Sequence, residues 1–238
     1  MKKTKTKLKA YFAKYIHELT EKRVSYLLGK KIKEDYQPNK YKYFNNFSEI
    51  ISWGKAFNTY YDEVSREYYN NLISAKKINT SQDALGFYAG YVARIINNHL
   101  RYHETFDPEF PFNKEIDIIS REINKNAIED NVVVLRLIYS GFLSKNLKKG
   151  MILKDKAFLS TTLNLNHRKN MQGNDLRLSN IGLIFIKVPK GTKALYLEPT
   201  SKKDEFEILL PQKTELLIEA IHKIFNNRVL FTKLIKCG

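Results

Sequence analysis

The chain has 238 residues, 43% of them hydrophobic, and this content is enough to bury a core and excludes wholesale disorder. No window approaches the run of about 18 apolar residues that a membrane span needs, and the single cysteine excludes an intrachain disulfide and a cysteine-cluster zinc site. The net charge of +16 predicts attraction to polyanions such as nucleic acid, anionic membranes, acidic proteins or phosphorylated cofactors, although solvated surface lysines would also account for it.

The positive charge is concentrated at the start of the chain. Residues 1–43 carry 13 basic residues against 4 acidic ones, and residues 1–48 are predicted to form a basic helical segment. Such a segment can contact an anionic membrane, a translocation component or a target protein. Lys9 and Lys14 interrupt any apolar stretch there and no small-residue cleavage pattern follows, so we expect no cleavable signal peptide in this chain.

Helical periodicity extends to about residue 128. The clearest stretch is residues 81–101, where apolar residues recur at intervals of three and four and predict one buried stripe: Leu85, Tyr88, Ala89, Val92, Ile95, Ile96 and Leu100. Thr80 is predicted to cap the start of this helix. Two prolines in residues 104–113 predict a loop, and another helix is predicted near residues 114–128.

Short apolar runs between polar breaks follow residue 130, and they predict strands. The predicted strands are residues 132–138, 156–162, 182–188, 194–199, 206–211, 215–224 and 228–235, the last two joined by a hairpin turn at Asn226-Asn227. Helices that come before the strands, rather than alternating with them, indicate an α+β domain.

Two polar features interrupt the predicted strands. Arg136 lies inside the apolar run VVVLRLI, where a buried guanidinium needs an anion or a water-filled cleft; a strand end from which the side chain reaches water would also accommodate it. Ser160, Thr161 and Thr162 end another strand, and their hydroxyls can hold a carboxylate or a ligand. The ordinary preferences of serine for turns and threonine for strands explain this triplet equally simply.

A pair of glutamates opens the run FEILLP. The two-residue repeat of a strand would place Glu205 and Glu207 on one face, about 6–7 Å apart. Paired carboxylates suit a reaction that passes through an oxocarbenium-like centre, because one stabilises the cation and the other handles protons on the nucleophile. A solvent-facing strand edge is the alternative.

The helix at residues 81–101 carries its own polar pair near its end. Asn97 and Arg101 are four residues apart and therefore lie on the same side of the helix. Arg101 could hold a phosphate there. It could instead interact with the helix C-terminus in an ordinary packing role.

Taken in order, these patterns resemble those of a known family. The segments YAGYVARIINNHLR, VVLRLIYSGF, AFLSTT and EFEILLP resemble the mono-ADP-ribosyltransferase toxins of the arginine–serine–glutamate class, in particular the clostridial binary actin-modifying toxins and the Rho-modifying exoenzymes. Trp53-Gly54 is similar to an upstream Trp-Gly of that group. The resemblance covers about residues 50–235. It implies an ADP-ribosyltransferase domain over residues 49–238, with N-terminal helices before a mainly antiparallel β core of two sheets.

The resemblance also implies a cofactor and the residues that bind it. NAD would be the co-substrate, with no metal. Arg136 would pair with the pyrophosphate and ribose region of NAD. Arg101 and Asn97 would bind phosphate and ribose from the helix, with Tyr88 beside them.

The catalytic residues implied by the resemblance are Glu207, Glu205, Ser160 and Arg136. Ser160 would hold Glu207, which would contact the nicotinamide-ribose 2′-hydroxyl and stabilise positive charge as the glycosidic bond breaks. Glu205 would engage the attacking side chain, since in this family a Glu at that place goes with arginine acceptors and a Gln with the asparagine of Rho. The physics agrees, because a fixed negative charge near a developing oxocarbenium favours the reaction.

The expected activity is therefore an NAD-dependent arginine ADP-ribosyltransferase, with NAD glycohydrolysis as a side activity. Its partner would be a host protein bearing the acceptor arginine, with actin as one candidate and no specific nucleic acid. The protein would be secreted or delivered into the host-cell cytoplasm. The alternative is a basic nucleic-acid-binding or anionic-lipid-binding module without catalysis, which steep salt dependence without NAD affinity would indicate.

Two departures from the family pattern bear on the substrate and on NAD. The turn PTSKKD, before the glutamate pair, lacks the aromatic residue with which related toxins touch their protein substrate, and this leaves actin in question. Residues 163–180 show no clear aromatic side chain to stack on nicotinamide.

Overall fold

The computed structural model describes residues 2–34, 40–44, 46–57, 81–103, 105–166, 181–197 and 205–238. Its helices come first: α1 (Lys2–Glu34), α2 (Phe47–Phe57), α3 (Ser81–Phe87), α4 (Ala93–Tyr102) and α5 (Asn113–Lys125), with a π-helical segment, Tyr88–Val92, between α3 and α4. The strands follow: β1 (Val132–Tyr139), β2 (Ile152–Asp155), β3 (Leu159–Thr162), β4 (Ile181–Val188), β5 (Leu195–Tyr196), β6 (Glu207–Leu210), β7 (Thr214–Ile224) and β8 (Asn227–Lys236).

The strands of the described ranges pair in the order β2-β7-β8-β4-β1-β3-β6-β5. Neighbouring strands are antiparallel except β4 and β8, which are parallel. A single register pair, Leu135 with Thr162, joins β1 to β3, whereas β1 pairs with β4 along its whole length. The predicted α+β fold with N-terminal helices and a mainly antiparallel β core is confirmed. The expectation of two sheets is corrected, because the described strands form one eight-stranded sheet, in which this joint separates a larger and a smaller group of strands.

Strand β1 shows why the central runs are continuously apolar. Val132 and Val134 pack into one core cluster, together with residues of α2 and β6, while Val133 and Leu135 pack into a second cluster on the opposite face. Because successive side chains of a strand point to opposite faces, burial of both faces requires an unbroken apolar run.

Helix α1 covers the second of these clusters. Val24, Leu27 and Leu28 are buried against the sheet beside Phe185 and Phe231. Of the segment predicted to be helical, residues 1–48, the structure shows residues 2–34 as α1, and one side of this helix is held by apolar contacts with the strands. Among the helices within the described ranges, none combines the length and apolar character needed to cross a bilayer.

Several predicted boundaries are corrected. Strand β2 was not predicted, and β3 begins at Leu159 rather than at residue 156. The β7–β8 turn consists of Phe225 and Asn226, one residue earlier than predicted, because Ile224 pairs directly with Asn227. The helix near residues 114–128 is α5, which ends at Lys125.

The predicted helix over residues 81–101 is regular only in part. Its central turns are the π-helical segment, whose wider turns change the phase of the side chains that follow. As a result Ile95, which was predicted to lie in the buried stripe, is 50% exposed, whereas Tyr88 and Ile96 are buried. The predicted cap, Thr80, lies outside the described residues.

The Trp53-Gly54 pair fixes α2 against the strands. Trp53 donates its indole N–H to Asp130 at 3.0 Å, and its ring packs between Phe44 and Phe57. A Cβ on Gly54 would lie 2.2 Å from the ring of Tyr196, so only glycine allows this approach.

Candidate active site

Three adjacent strands, β1, β3 and β6, carry the central residues of the site. Arg136 donates from Nη1 to the backbone oxygen of Ser160 at 2.8 Å. Ser160 in turn donates from Oγ to Oε1 of Glu207. The structure therefore brings these three predicted site residues together, Arg136 through the backbone of Ser160 and Glu207 through its side chain.

Glu207 is a buried carboxylate that opens strand β6. It is 8% exposed, and its residue pairs with Thr162 in the strand register. Its backbone oxygen accepts from Leu197 of the neighbouring strand end at 2.9 Å. A carboxylate this deeply buried requires hydrogen-bond donors, and the Ser160 hydroxyl supplies one of them.

Arg136 is held mostly inside the protein, and the anion that its burial requires is Asp155. Its side chain is 16% exposed, and its Nη2 lies 3.7 Å from Oδ2 of Asp155. Burial lowers the pKa of this guanidinium from its ordinary value, and the Asp155 charge opposes that effect. Arg136 remains a cation at neutral pH, since arginine has the highest pKa among the side chains.

Asp155 also holds Arg101. The two side chains form a bidentate pair, with Nε to Oδ1 at 2.9 Å and Nη2 to Oδ2 at 3.0 Å. Asp155 was not predicted as a site residue, because it ends a strand of only four residues with a mixed polar pattern. The available signal was the need of a buried arginine for an anion.

Tyr88 and Asn97 lie beside this group, on the helical side of the site. Asn97 donates from Nδ2 to the Tyr88 hydroxyl at 2.8 Å, and the Tyr88 ring meets Phe158 edge-on at 5.8 Å. Burial raises the pKa of the Tyr88 phenol, and the negative charge of Glu207 raises it further, so the hydroxyl stays neutral. The π-helical segment begins at Tyr88, a kind of irregularity that is frequent at functional sites.

Asn97 retains one unused acceptor. Among the described residues, none donates a hydrogen bond to its Oδ1, although the residue is 7% exposed. A buried amide oxygen without a donor is unfavourable unless a ligand supplies one. The hydroxyl of a ribose is a donor of the right kind, so Asn97 fits the role in dinucleotide binding predicted from the sequence.

The glutamate pair does not form the regular strand that was predicted. Strand β6 begins at Glu207, and Phe206 has a φ of 50°, so the two-residue alternation that was used to place Glu205 does not apply. The Phe206 ring is buried against Phe47, and the backbone oxygen of Glu205 accepts from the Thr162 hydroxyl. A bulky residue in the left-handed region is strained, and such strain is concentrated at functional sites.

Two predictions about neighbouring segments fall largely outside the described residues. The turn before the glutamate pair includes residues 198–204, and the segment in which a nicotinamide-stacking residue was expected includes residues 167–180. The described part of the latter, residues 163–166, has no aromatic side chain. Over the described ranges, no three His, Cys, Asp or Glu residues are grouped so that they could hold a metal ion.

The arrangement suits a particular kind of chemistry. Two guanidiniums with unused N–H donors can bind phosphoryl oxygens, for which arginine has a geometric preference. A buried carboxylate fixed by a hydroxyl can stabilise positive charge that develops on a bound substrate. Together they fit an anionic substrate whose reacting carbon becomes cationic.

Comparison with known proteins agrees with this chemistry. The model of a family described as ADP-ribosyltransferase exoenzyme matches residues 52–235, most of the chain. A search of curated proteins found no significant match.

Solved structures of ADP-ribosyltransferases share the fold. Plx2a, an ADP-ribosyltransferase toxin from Paenibacillus larvae, is 21% identical, with 79% of this chain and 96% of that chain covered and a TM-score of 0.58. An ADP-ribosyltransferase from Clostridium botulinum is 19% identical, with coverage of 83% and 100% and a TM-score of 0.61. The Clostridium limosum C3 exoenzyme is 21% identical, with coverage of 83% and 98% and a TM-score of 0.58.

Proposed function

Since this chain belongs to the ADP-ribosyltransferase exoenzyme family, a family of NAD-dependent ADP-ribosylating toxins, we propose that it transfers ADP-ribose from NAD to an arginine of a host protein. The observation that carries the proposal is the line of contacts from Arg136 through Ser160 to Glu207. These contacts support roles for Glu207 as a fixed carboxylate and for Arg136 as a cation that would bind the anionic part of NAD.

Glu207 is the proposed catalytic carboxylate. In the reaction the bond between the nicotinamide nitrogen and ribose C1′ breaks, and its electron pair leaves on nicotinamide, which becomes neutral. Positive charge develops on the ribose, and a fixed negative charge lowers the energy of that state. Ser160 holds Glu207 in place through its hydroxyl.

Arginine is the proposed acceptor because of Glu205. A guanidinium is protonated at neutral pH and is therefore a poor nucleophile. A second carboxylate can orient it and take the proton that it loses when its nitrogen bonds to C1′. Glu205 lies two residues before Glu207 and is anchored by Thr162 through its backbone, which supports its assignment to the rim of the site.

NAD would be held mainly from the helical side and from β1. Arg101 and Arg136 are the proposed phosphate-binding residues, Asn97 offers its unused oxygen to a ribose hydroxyl, and Tyr88 supports Asn97. Slow hydrolysis of NAD is expected when no acceptor is bound, because water can replace the guanidine.

The test is incubation of the protein with labelled NAD and an acceptor, either host-cell lysate or a small guanidine such as agmatine. Mass spectrometry then maps the modified residue in the lysate proteins or detects the modified guanidine. Glu207→Gln should abolish both transfer and hydrolysis, whereas Glu205→Gln should remove transfer to arginine and spare hydrolysis. Glu219→Gln, in a glutamate paired with Lys187 on the sheet, is the matched control and should retain activity. Arginine labelling that survives Glu205→Gln would refute the acceptor assignment, and salt-sensitive polyanion binding without NAD turnover would favour the non-catalytic alternative. The lysate arm also decides whether actin is the substrate.

We further propose that residues 1–48 serve surface attachment and residues 49–238 the transferase reaction, and that the protein acts after delivery into a host cell. On α1, Tyr11, Tyr15, Lys22 and Tyr26 are spaced to share one helical face, and all four are exposed. Aromatic rings beside cations suit the interface of a membrane with anionic lipids.

A groove of about 510 Å³ adjoins this face, between α1 and the β7–β8 turn. Its charged lining residues are the cations Lys22, Arg23 and Lys223, and the Phe225 ring beside them is 49% exposed. The charge complementarity favours an anionic phospholipid surface over a neutral one.

Flotation with vesicles tests this attachment. The protein should bind vesicles that contain phosphatidylserine, and not phosphatidylcholine alone, and high salt should weaken the binding. Replacing Tyr11, Tyr15 and Tyr26 together with Ser should reduce it. Phe106→Ser, at a ring that is 79% exposed elsewhere on the surface, is the control. Equal binding to both vesicle types would contradict the proposed preference for anionic lipid. Binding to neither would contradict attachment to a membrane and would point to a protein such as a translocation component instead.

A further inference from the structure

Two guanidiniums from different parts of the chain meet at one carboxylate. Arg101 comes from the last turn of α4, Arg136 from the middle of β1, and Asp155 from the end of β2. Although β1 and β2 follow each other in the chain, three strands separate them in the strand order. The carboxylate therefore joins an arginine from the helical side of the site to one from the strand side.

We propose that Asp155 is a positioning residue that orients Arg101 and Arg136 so that their remaining N–H groups can bind the phosphates of NAD. The proposal rests on the proposed function. Asp155 itself is not assigned any contact with the dinucleotide.

The carboxylate is itself fixed. Its Oδ1 accepts from the backbone N–H of Ala157 at 3.0 Å, in addition to Nε of Arg101, and the side chain is 19% exposed. An acceptor tied to its own backbone cannot follow a moving arginine, so it sets the arginine's orientation. The bidentate geometry with Arg101 defines the plane of that guanidinium.

Both arginines keep donors for a ligand. A guanidinium has five N–H groups, and Asp155 engages only the Nε and Nη2 side of Arg101, so both N–H groups of Nη1 remain. Arg136 uses Nη1 toward the Ser160 oxygen and turns Nη2 toward Asp155. The Arg101 side chain is 28% exposed, so its unused edge is within reach of a ligand from solvent.

The charges of the two arginines also support a role for Asp155 between them. Two guanidiniums that share one site repel each other, and the Arg101 charge makes the protonated form of Arg136 less favourable. Asp155 between them offsets this repulsion. A simple counter-ion would do so as well, but it would compete with phosphate, and removing it would tighten NAD binding. Removing a positioning residue would instead weaken NAD binding. The direction of the change in NAD affinity therefore decides between the two roles.

The experiment measures NAD binding by calorimetry and NAD hydrolysis by nicotinamide release. Asp155→Asn keeps the size of the side chain and an acceptor for Ala157, but it removes the negative charge and one of the two carboxylate oxygens that accept from Arg101. We expect Kd and KM for NAD to rise about 10-fold, comparable to one charge-assisted hydrogen bond, with kcat nearly unchanged. Asp155→Glu keeps the charge but displaces the carboxylate, and it should weaken binding too. Asp117→Asn, which makes the same charge change at an exposed position on α5, should bind NAD as the unmodified protein does.

A double-mutant cycle separates positioning from general stability. Arg101→Lys removes the fork on which Asp155 acts, so adding Asp155→Asn to it should weaken NAD binding by much less than in the unmodified background. Additive effects, unchanged NAD affinity in both Asp155 variants, or tighter binding by Asp155→Asn would overturn the proposal. If the unmodified protein does not bind NAD at all, the proposed function fails, and that result is distinct from binding that is insensitive to Asp155.

Discussion

The contact between Ser160 and Glu207 leads to a quantitative prediction. In Ser160→Ala the buried carboxylate loses the hydroxyl that donates to its Oε1, while the backbone oxygen that accepts from Arg136 is kept. Glu207 is 8% exposed, so water has little access to replace the lost donor. The change therefore isolates one side-chain hydrogen bond.

The magnitude follows from the kind of hydrogen bond. A hydrogen bond to a charged group contributes about 1.5–3 kcal/mol, and each 1.4 kcal/mol corresponds to a factor of about ten in rate. If this contact orients Glu207 for the transition state, Ser160→Ala should lower kcat for NAD hydrolysis by between about 10-fold and about 100-fold. The KM for NAD should change less, because the arginines remain.

Thr161→Val provides the matched control. Thr161 is the next residue of the same strand, but its hydroxyl donates to the backbone oxygen of Ile208 at 2.7 Å and does not contact Glu207. The control should lower stability and leave kcat close to that of the unmodified protein. Nicotinamide release under saturating NAD, with thermal unfolding of each variant, is the assay. An unchanged kcat in Ser160→Ala, or an equal loss in Thr161→Val, would refute the reasoning.

Two further predictions concern stability. Gly54→Ala should lower the free energy of unfolding by about 1–3 kcal/mol, since its Cβ would lie 2.2 Å from the buried Tyr196 ring. Gly29→Ala, in open space on α1, should raise the free energy of unfolding by roughly 0.5–1 kcal/mol. Urea denaturation measures both changes, and shifts of the same sign and size would contradict the packing argument. The hydrogen bond from Lys42 holds the pKa of Asp130 below its ordinary value of 3.8. The stability that this carboxylate contributes is therefore present above about pH 4 and is lost as the pH falls through the lower, folded-state pKa. Asp130→Asn should therefore lower the free energy of unfolding at pH 6 by less than about 1 kcal/mol, because the pair is partly exposed, and it should have less effect near pH 3. Urea denaturation at both pH values measures this, and a loss independent of pH would contradict it.

The strands were predictable where burial on both faces left an unambiguous signal. The run that became β1 is apolar without alternation because it packs against a cluster on each side. Strand β2 has no such signal, since its four residues are exposed or only partly buried. Its terminal Asp155 was missed for the same reason, although it is the partner that the buried Arg136 required.

The helical and glutamate segments show a different limit. Periodicity assumes a uniform turn or a uniform pleat, and the structure departs from each at the site. The π-helical segment changes the side-chain phase before Ile95, and the positive φ of Phe206 interrupts the strand before Glu207. Neither departure follows from residue preferences, because tertiary contacts stabilise both.

Each candidate side chain taken singly had an ordinary structural explanation, and the structure shows why the combination was more informative. An arginine directed to solvent or a glutamate at an open strand edge would have needed no partner. Arg136 and Glu207 instead are largely buried, and each is satisfied by the other parts of the group, through Asp155 and Ser160. Because these contacts form one continuous series from Arg101 to Glu207, the effects of substitutions along it should be non-additive, and double-mutant cycles should show coupling between the phosphate-binding and catalytic ends.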